Sequence, residues 1–178
     1  METSYAVLLI KPDAVRDILE EVLIQDICLS ANVEVIFRKY WKINNETARL
    51  IYPEWVERQE FTSMAYNITQ GYSLFTLVSG SWNIYESLKR VKGKMNCGGI
   101  RLKYRTHSID EWISLGYLGR DLQNKVAENR IHTTDNLSDT LFLCALALDP
   151  DDVSLLEKIA PQFILNLHSK MSLQKTVL

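Results

Sequence analysis

The sequence predicts an α/β chain of the α+β kind: one sheet with helices packed on one face. Apolar and β-branched runs alternate with helical periodicities along the chain. No neighbouring pair of strands is joined by a two-residue hairpin signal. The strands are also too few for a doubly wound sheet. A length of 178 residues suits one domain with a sizeable core.

Tyr5–Ile10 (YAVLLI) is a short apolar run ending at Pro12, too short for a core helix, and reads as a buried strand. Asp13 is a candidate N-cap for an amphipathic helix carrying Val15, Ile18, Leu19, Val22, Leu23 and Ile27. Val33–Ile43 is rich in β-branched and aromatic residues and predicts a long second strand. Asn45 is read as the cap of a short helix over Glu46–Ile51. Pro53 interrupts it, and a further helix runs to about Thr69. Gly71 breaks that pattern, and Tyr72–Val78 is the third strand.

Trp82–Val91 reads as a helix and Lys92–Gly99 as a glycine-bearing loop. Ser108 opens the helix SIDEWISL with acids in its first turn, and a second helix covers Asp121–Ala127. Asn129–Thr133 is a short strand in which Arg130 and His132 should face away from Ile131. Asn136 or Ser138 caps an apolar helix to Leu148, Asp149-Pro-Asp-Asp reads as a break, and Val153–Leu167 as one last helix. The order is the ferredoxin-like βαββαβ pattern.

Composition excludes a disordered or collagenous chain: 47% of residues are hydrophobic, with only 7 Gly and 4 Pro. The net charge of −2 argues against a broadly basic nucleic-acid binder. Cys28, Cys97 and Cys144 are widely spaced and form no metal-binding pattern, as expected of free thiols in a reducing compartment. With no signal peptide and no membrane-length apolar run, a cytoplasmic protein is expected.

Three features point to chemistry. Lys11 follows the first strand, where a lysine can meet phosphate, although a lysine there is commonly just solvated. His132 is a potential nucleophile, or else a satisfied structural histidine. Ser87–Ile109 holds seven of the 20 basic residues and no Asp or Glu, a window that attracts phosphates or is simply a solvated loop.

Lys11-Pro-Asp-Ala after an apolar strand, Gly-Ile-Arg at 99–101 and Asn129-x-x-His132-x-Thr134-Asp135 occur in this order, with Tyr52 and Gly71 between them. The set resembles the nucleoside diphosphate kinases over residues 4–148. The resemblance implies a phosphotransferase in which His132 carries the γ-phosphoryl from a nucleoside triphosphate, such as ATP, to a nucleoside diphosphate. By it, Lys11, Arg101 and Arg90 would bind phosphates, Tyr52 would lie against the histidine, Asn129 would bond the sugar or phosphate, and Thr134 would keep a serine's hydroxyl. Mg²⁺ would arrive on the nucleotide rather than in a protein cage. A homo-oligomer is implied, without membrane or nucleic-acid partners. Residues 1–150 form the phosphotransfer domain, with a helical insertion at about 106–128, and residues 151–178 form a helical extension of it.

The chain also departs from that pattern. At the two base-stacking positions it has Glu60 and Met64, with Phe61 adjacent as a substitute. A phosphate-contacting threonine becomes Met95 or Asn96. The glutamate that orients the histidine falls on Leu143, leaving Asp135 or Asp139 as candidate acceptors. A catalytically weak or inactive nucleotide-binding or scaffold domain is therefore the alternative reading.

Overall fold

The computed structural model describes residues 3–93 and 98–175. Met95, Asn96 and Cys97 lie outside the described residues. Four strands, β1 (Ser4–Ile10), β2 (Glu34–Lys42), β3 (Tyr72–Gly80) and β4 (Ile131–Thr133), form one antiparallel sheet in the order β2-β3-β1-β4. This is the expected ferredoxin-like fold.

The helices, however, cover both faces rather than one. In β1 every residue from Ala6 to Ile10 is fully buried. Val7 and Leu9 join one apolar cluster, while Ala6, Leu8 and Ile10 join another. Because side chains alternate across a strand, a run buried throughout requires cover on each side. The second cluster is closed by α2 (Glu20–Ala31) and α5 (Ile84–Lys92). The first is closed by α3 (Asn45–Ile51), α4 (Phe61–Thr69), α9 (Leu137–Ala147) and the helices after it.

Local chemistry moves several boundaries. The helix expected from Asp13 splits, with α1 (Pro12–Arg16) ending before α2 begins. Ile18 N–H donates to Val15 O at 3.1 Å and Leu19 N–H to Ala14 O at 3.0 Å, a Schellman closure with Ile18 in the left-handed region at φ 56°. The residue capping α1 is Lys11, with Pro12 in the first turn, so Asp13 is not the cap. Asn44, not Asn45, caps α3, its side chain accepting from Thr47 N–H.

Asp149-Pro-Asp-Asp is a helix start. Asp149 and Asp152 form a capping box for α10 (Pro150–Ile159). Pro161 cannot continue that helix, so the expected single segment becomes α10 and α11 (Pro161–Lys175). Leu156, Phe163, Ile164 and Leu167 are buried in the first cluster, and the Phe163 ring lies 4.9 Å from that of Tyr5.

Between β3 and β4 stand α6 (Gly99–Lys103), α7 (Ile109–Ser114) and α8 (Gly119–Ala127). Ser108 and Glu111 form a capping box on α7, as the acids of its first turn suggested. Trp112 is buried within this segment, between His107 and Tyr117, with the Lys125 ammonium 5.3 Å from its ring. Contacts between α8 and α4 fix this segment against the rest of the chain.

Candidate active site

The site is built where β4 meets the end of β1. Leu9 pairs with His132 and Ile10 with Ile131, so alternation sends Ile131 into the second cluster and His132 to the opposite side. There its imidazole meets the buried Tyr52 ring edge-on, at 5.2 Å between centroids.

Arg130 does not accompany His132, because it precedes the strand and its backbone is left-handed, at φ 66°. Its guanidinium, 2% exposed, donates to Asp13 O at 2.7 Å, to Asp17 at 2.6 Å and to Tyr104 O at 2.9 Å. Its own N–H donates to Asp13 Oδ2 at 3.0 Å, and its carbonyl accepts from Lys11 N–H at 2.9 Å. These bonds tie α1, the entry to β4 and the capping residue of α1 into one unit.

Lys11 is therefore held at the strand end rather than solvated. Its ammonium donates to Ala127 O at 2.9 Å and Asn129 Oδ1 at 3.1 Å. Burial lowers its pKa to about 8, with Arg101 acting in the same sense and Asp13 partly offsetting both. Arg101, from α6, donates to Ile131 O at 3.0 Å, and burial lowers its pKa as well. His132 is pushed down to about 3, first by burial and then by Lys92, Arg101 and Lys11. The imidazole is consequently neutral near pH 7, with a lone pair free.

No hydrogen bond to that imidazole is present among the described residues. Leu143, Asp135 and Asp139 do share a cavity of about 280 Å³ with it. Asp139, however, accepts from Asn136 Nδ2 at 2.9 Å, and Asp135 lies 3.9 Å from Lys92 Nζ. Leu143 offers no acceptor.

A larger cavity of about 640 Å³ opens beside His132. Tyr52, Lys92, Arg101, Asn129 and Asp135 line it with His132. Glu60 and Met64 from α4 and its cap, Leu122 and Val126 from α8, and Glu54 and Trp55 from the 3₁₀ turn Pro53–Trp55 line it too. Of the expected residues, Lys11, Tyr52, Arg101, Asn129, His132 and Met64 converge here.

Three others are placed differently. Arg90 is exposed and off the cavity wall, whereas Lys92, two residues on and thus on another face of α5, reaches it. Phe61 is buried in the core under Arg49, whose guanidinium lies 5.5 Å from its ring. The Thr134 hydroxyl accepts from Val7 N–H at 3.0 Å and meets Thr140 Oγ1 at 2.9 Å, so it locks β4 to β1. Sequence reasoning missed Lys92, Trp55 and the α8 wall. The acid-free basic window was the signal for Lys92; Trp55 and α8 had none, since only packing turns them to the site.

The family model for nucleoside diphosphate kinase matches residues 4–153. The chain belongs to the nucleoside diphosphate kinase family. Membership carries that family's class of function, phosphotransfer between nucleotides. Solved nucleoside diphosphate kinases share the fold. That of Aquifex aeolicus is 13% identical with a TM-score of 0.65, over 85% of this chain and 99% of its own. The Encephalitozoon cuniculi enzyme is 17% identical with a TM-score of 0.64, over 83% and 90% of the two chains. The Borrelia burgdorferi enzyme, solved as a transition-state mimic with vanadate and ADP, is 18% identical with a TM-score of 0.64, over 84% and 89%. No curated protein sequence matches. This nucleoside diphosphate kinase family member thus keeps its fold at low identity, and α8 shares the lining of its cavity with α4.

Proposed function

We propose that this chain transfers the γ-phosphoryl of a nucleoside triphosphate to a nucleoside diphosphate through a phosphohistidine at His132. The supporting observation is a neutral imidazole that lines one cavity with Lys92 and Arg101, close enough to those two cations and to Lys11 for their charge to disfavour its protonation. Crowded, partly buried cations favour an anion.

In the first half-reaction a ring nitrogen of His132 attacks the γ-phosphorus. A P–N bond forms, the bond from that phosphorus to the β–γ bridging oxygen breaks, and the nucleoside diphosphate leaves with the electron pair. In the second, a terminal oxygen of another nucleoside diphosphate attacks the same phosphorus, the P–N bond breaks, and the imidazole lone pair is restored. Lys92 and Arg101 would hold the charge that spreads over the transferred group, and Asn129 would fix the nucleotide beside Lys11. Tyr52 would hold the ring face.

Mg²⁺ would arrive on the substrate's phosphates, whose charge it would neutralise.

Leu143 and the missing acceptor on His132 support a second reading, a nucleotide-binding domain of weak activity. Incubation with γ-labelled ATP and Mg²⁺ decides between them. Phosphotransfer predicts an acid-labile, base-stable label on the chain that vanishes in His132→Ala. ADP binding without any label favours the second reading.

We further propose residues 1–150 as the phosphotransfer unit, with 151–178 an extension of the same domain, because Phe163 and Leu167 complete its core. Homo-oligomeric assembly and a cytoplasmic location belong to this proposal too. No described helix is long and apolar enough to cross a membrane. Light scattering of the purified chain tests the assembly.

A further inference from the structure

The carboxylates on the wall of the large cavity are not equally engaged. Glu54 accepts from Trp55 Nε1 at 3.1 Å, and Asp135 faces Lys92 at 3.9 Å. Glu60 stands at the N-cap position of α4, yet its carboxylate caps nothing. It makes no side-chain hydrogen bond or ion pair among the described residues. In the same lining, the amide of Gln123 on α8 is likewise unengaged among the described residues. The same lining carries the apolar side chains of Met64, Leu122 and Val126 and the indole of Trp55. The cavity therefore combines the cations Lys92 and Arg101 with His132, an apolar surface and an unengaged acceptor–donor pair.

We propose that Glu60 and Gln123 read the base edge of the nucleotide and make this site selective for guanine nucleotides over uracil nucleotides. This rests on the phosphotransfer reading, which places the phosphates at Lys92 and Arg101. With the phosphates there, a base resting on the apolar side chains would turn its edge to the polar pair.

Guanine presents two adjacent donors, N1–H and the N2 amino group, that span the two oxygens of a carboxylate. Its O6 accepts from an amide N–H such as that of Gln123. Uracil offers one N–H flanked by two carbonyls, and those carbonyls face the Glu60 carboxylate unfavourably. Adenine and cytosine, with one amino group each, fall between. A site that spends a charged acceptor on donors discriminates against ligands lacking them more sharply than an apolar slot can. Glu60 and Gln123 are solvent-exposed, which moderates the effect.

Calorimetric titration of the full chain with the magnesium complexes of GDP, ADP, CDP and UDP tests this, beside the Glu60→Ala variant. Because the exposed carboxylate contributes at the low end for a charged hydrogen bond, GDP should bind about tenfold more tightly than UDP. In Glu60→Ala that ratio should collapse to within about twofold, since two uncharged edges then meet the same apolar slot. Equal binding of GDP and UDP by the wild type overturns the proposal and leaves the phosphotransfer reading standing. So does a preference that survives in Glu60→Ala. Failure of all four diphosphates to bind overturns both.

Discussion

The Tyr52 ring stands edge-on to the His132 imidazole, with 5.2 Å between centroids and 84° between planes. Tyr52 is a core residue, 6% exposed, and burial raises its phenol pKa, so the ring carries no charge toward the imidazole. Its contribution is steric: it limits how far the imidazole can swing where no acceptor orients it. Tyr52→Phe keeps the ring and should hold stability within about 1 kcal/mol. Tyr52→Ala should cost about 3–5 kcal/mol in urea unfolding, as for other buried aromatics. Phosphoenzyme formation should survive in the first variant and fail in the second even below its unfolding transition.

The cavity, and not the basic window as a whole, selects which cations matter. Lys92→Gln should lower the rate of phosphoenzyme formation by about 100-fold, the usual cost of one preorganised donor. Arg101→Lys should do likewise, because a point charge does not replace a guanidinium fork. Arg90→Ala should change the rate by less than about threefold, since the exposed side chain is off the wall. Single-turnover labelling separates the three, and a larger loss in Arg90→Ala than in Lys92→Gln would return the site to the sequence assignment.

The pH behaviour follows from two lowered values. His132 is held to about 3, so its ring signal in NMR should stay at the neutral position from pH 8 down to about pH 4.5. In the unfolded chain the same group titrates near 6.5 and binds a proton sooner. His132 therefore contributes stability that is present above pH 6.5 and is lost as pH falls toward about 3. Lys11 is held to about 8 against 10.5 unfolded, so its buried charge weakens the fold below pH 8, and that cost is relieved between pH 8 and 10.5. Activity runs the other way: kcat/KM should fall above about pH 8 as Lys11 loses its proton. A midpoint near pH 6.5 in the His132 NMR titration would refute the neutral-imidazole assignment.

Arg130 anchors the site without entering it. Arg130→Met would leave the buried Asp13 carboxylate without its cation, and Asp17 and Tyr104 O without the guanidinium donor. Removing one partner from such a group should cost about 3–5 kcal/mol, measured by urea unfolding. Arg130 also sits at a positive φ, so Arg130→Gly should lose less than Arg130→Met by the left-handed strain that glycine relieves, about 1 kcal/mol. If Arg130→Met unfolds at the wild-type urea concentration, the guanidinium is not the anchor.

The strands and the motif residues were legible because their signals are local. Four apolar or β-branched runs announce the sheet, and Lys11, Tyr52, Arg101, Asn129 and His132 occur in a fixed order. Helix ends were read less well. The Schellman closure at Ile18 and the capping box at Asp149 depend on backbone angles that the residue types permit without requiring. Arg90 and Phe61 were misplaced for a related reason, since a helix rotates each successive residue by about 100° and neighbours face different surroundings.

By itself the sequence determined the four-stranded α+β fold, the order of its motifs and the chemistry that order allows. Only the tertiary structure decided that both sheet faces are covered, that Lys92 rather than Arg90 reaches the cavity, and that Thr134 and Arg130 are spent on holding the frame. It also decided that α8 lines the site together with Glu60. Periodicity along a chain fixes which residues share a face, but what that face meets is set by contacts between segments far apart in sequence, and those form only when the chain packs.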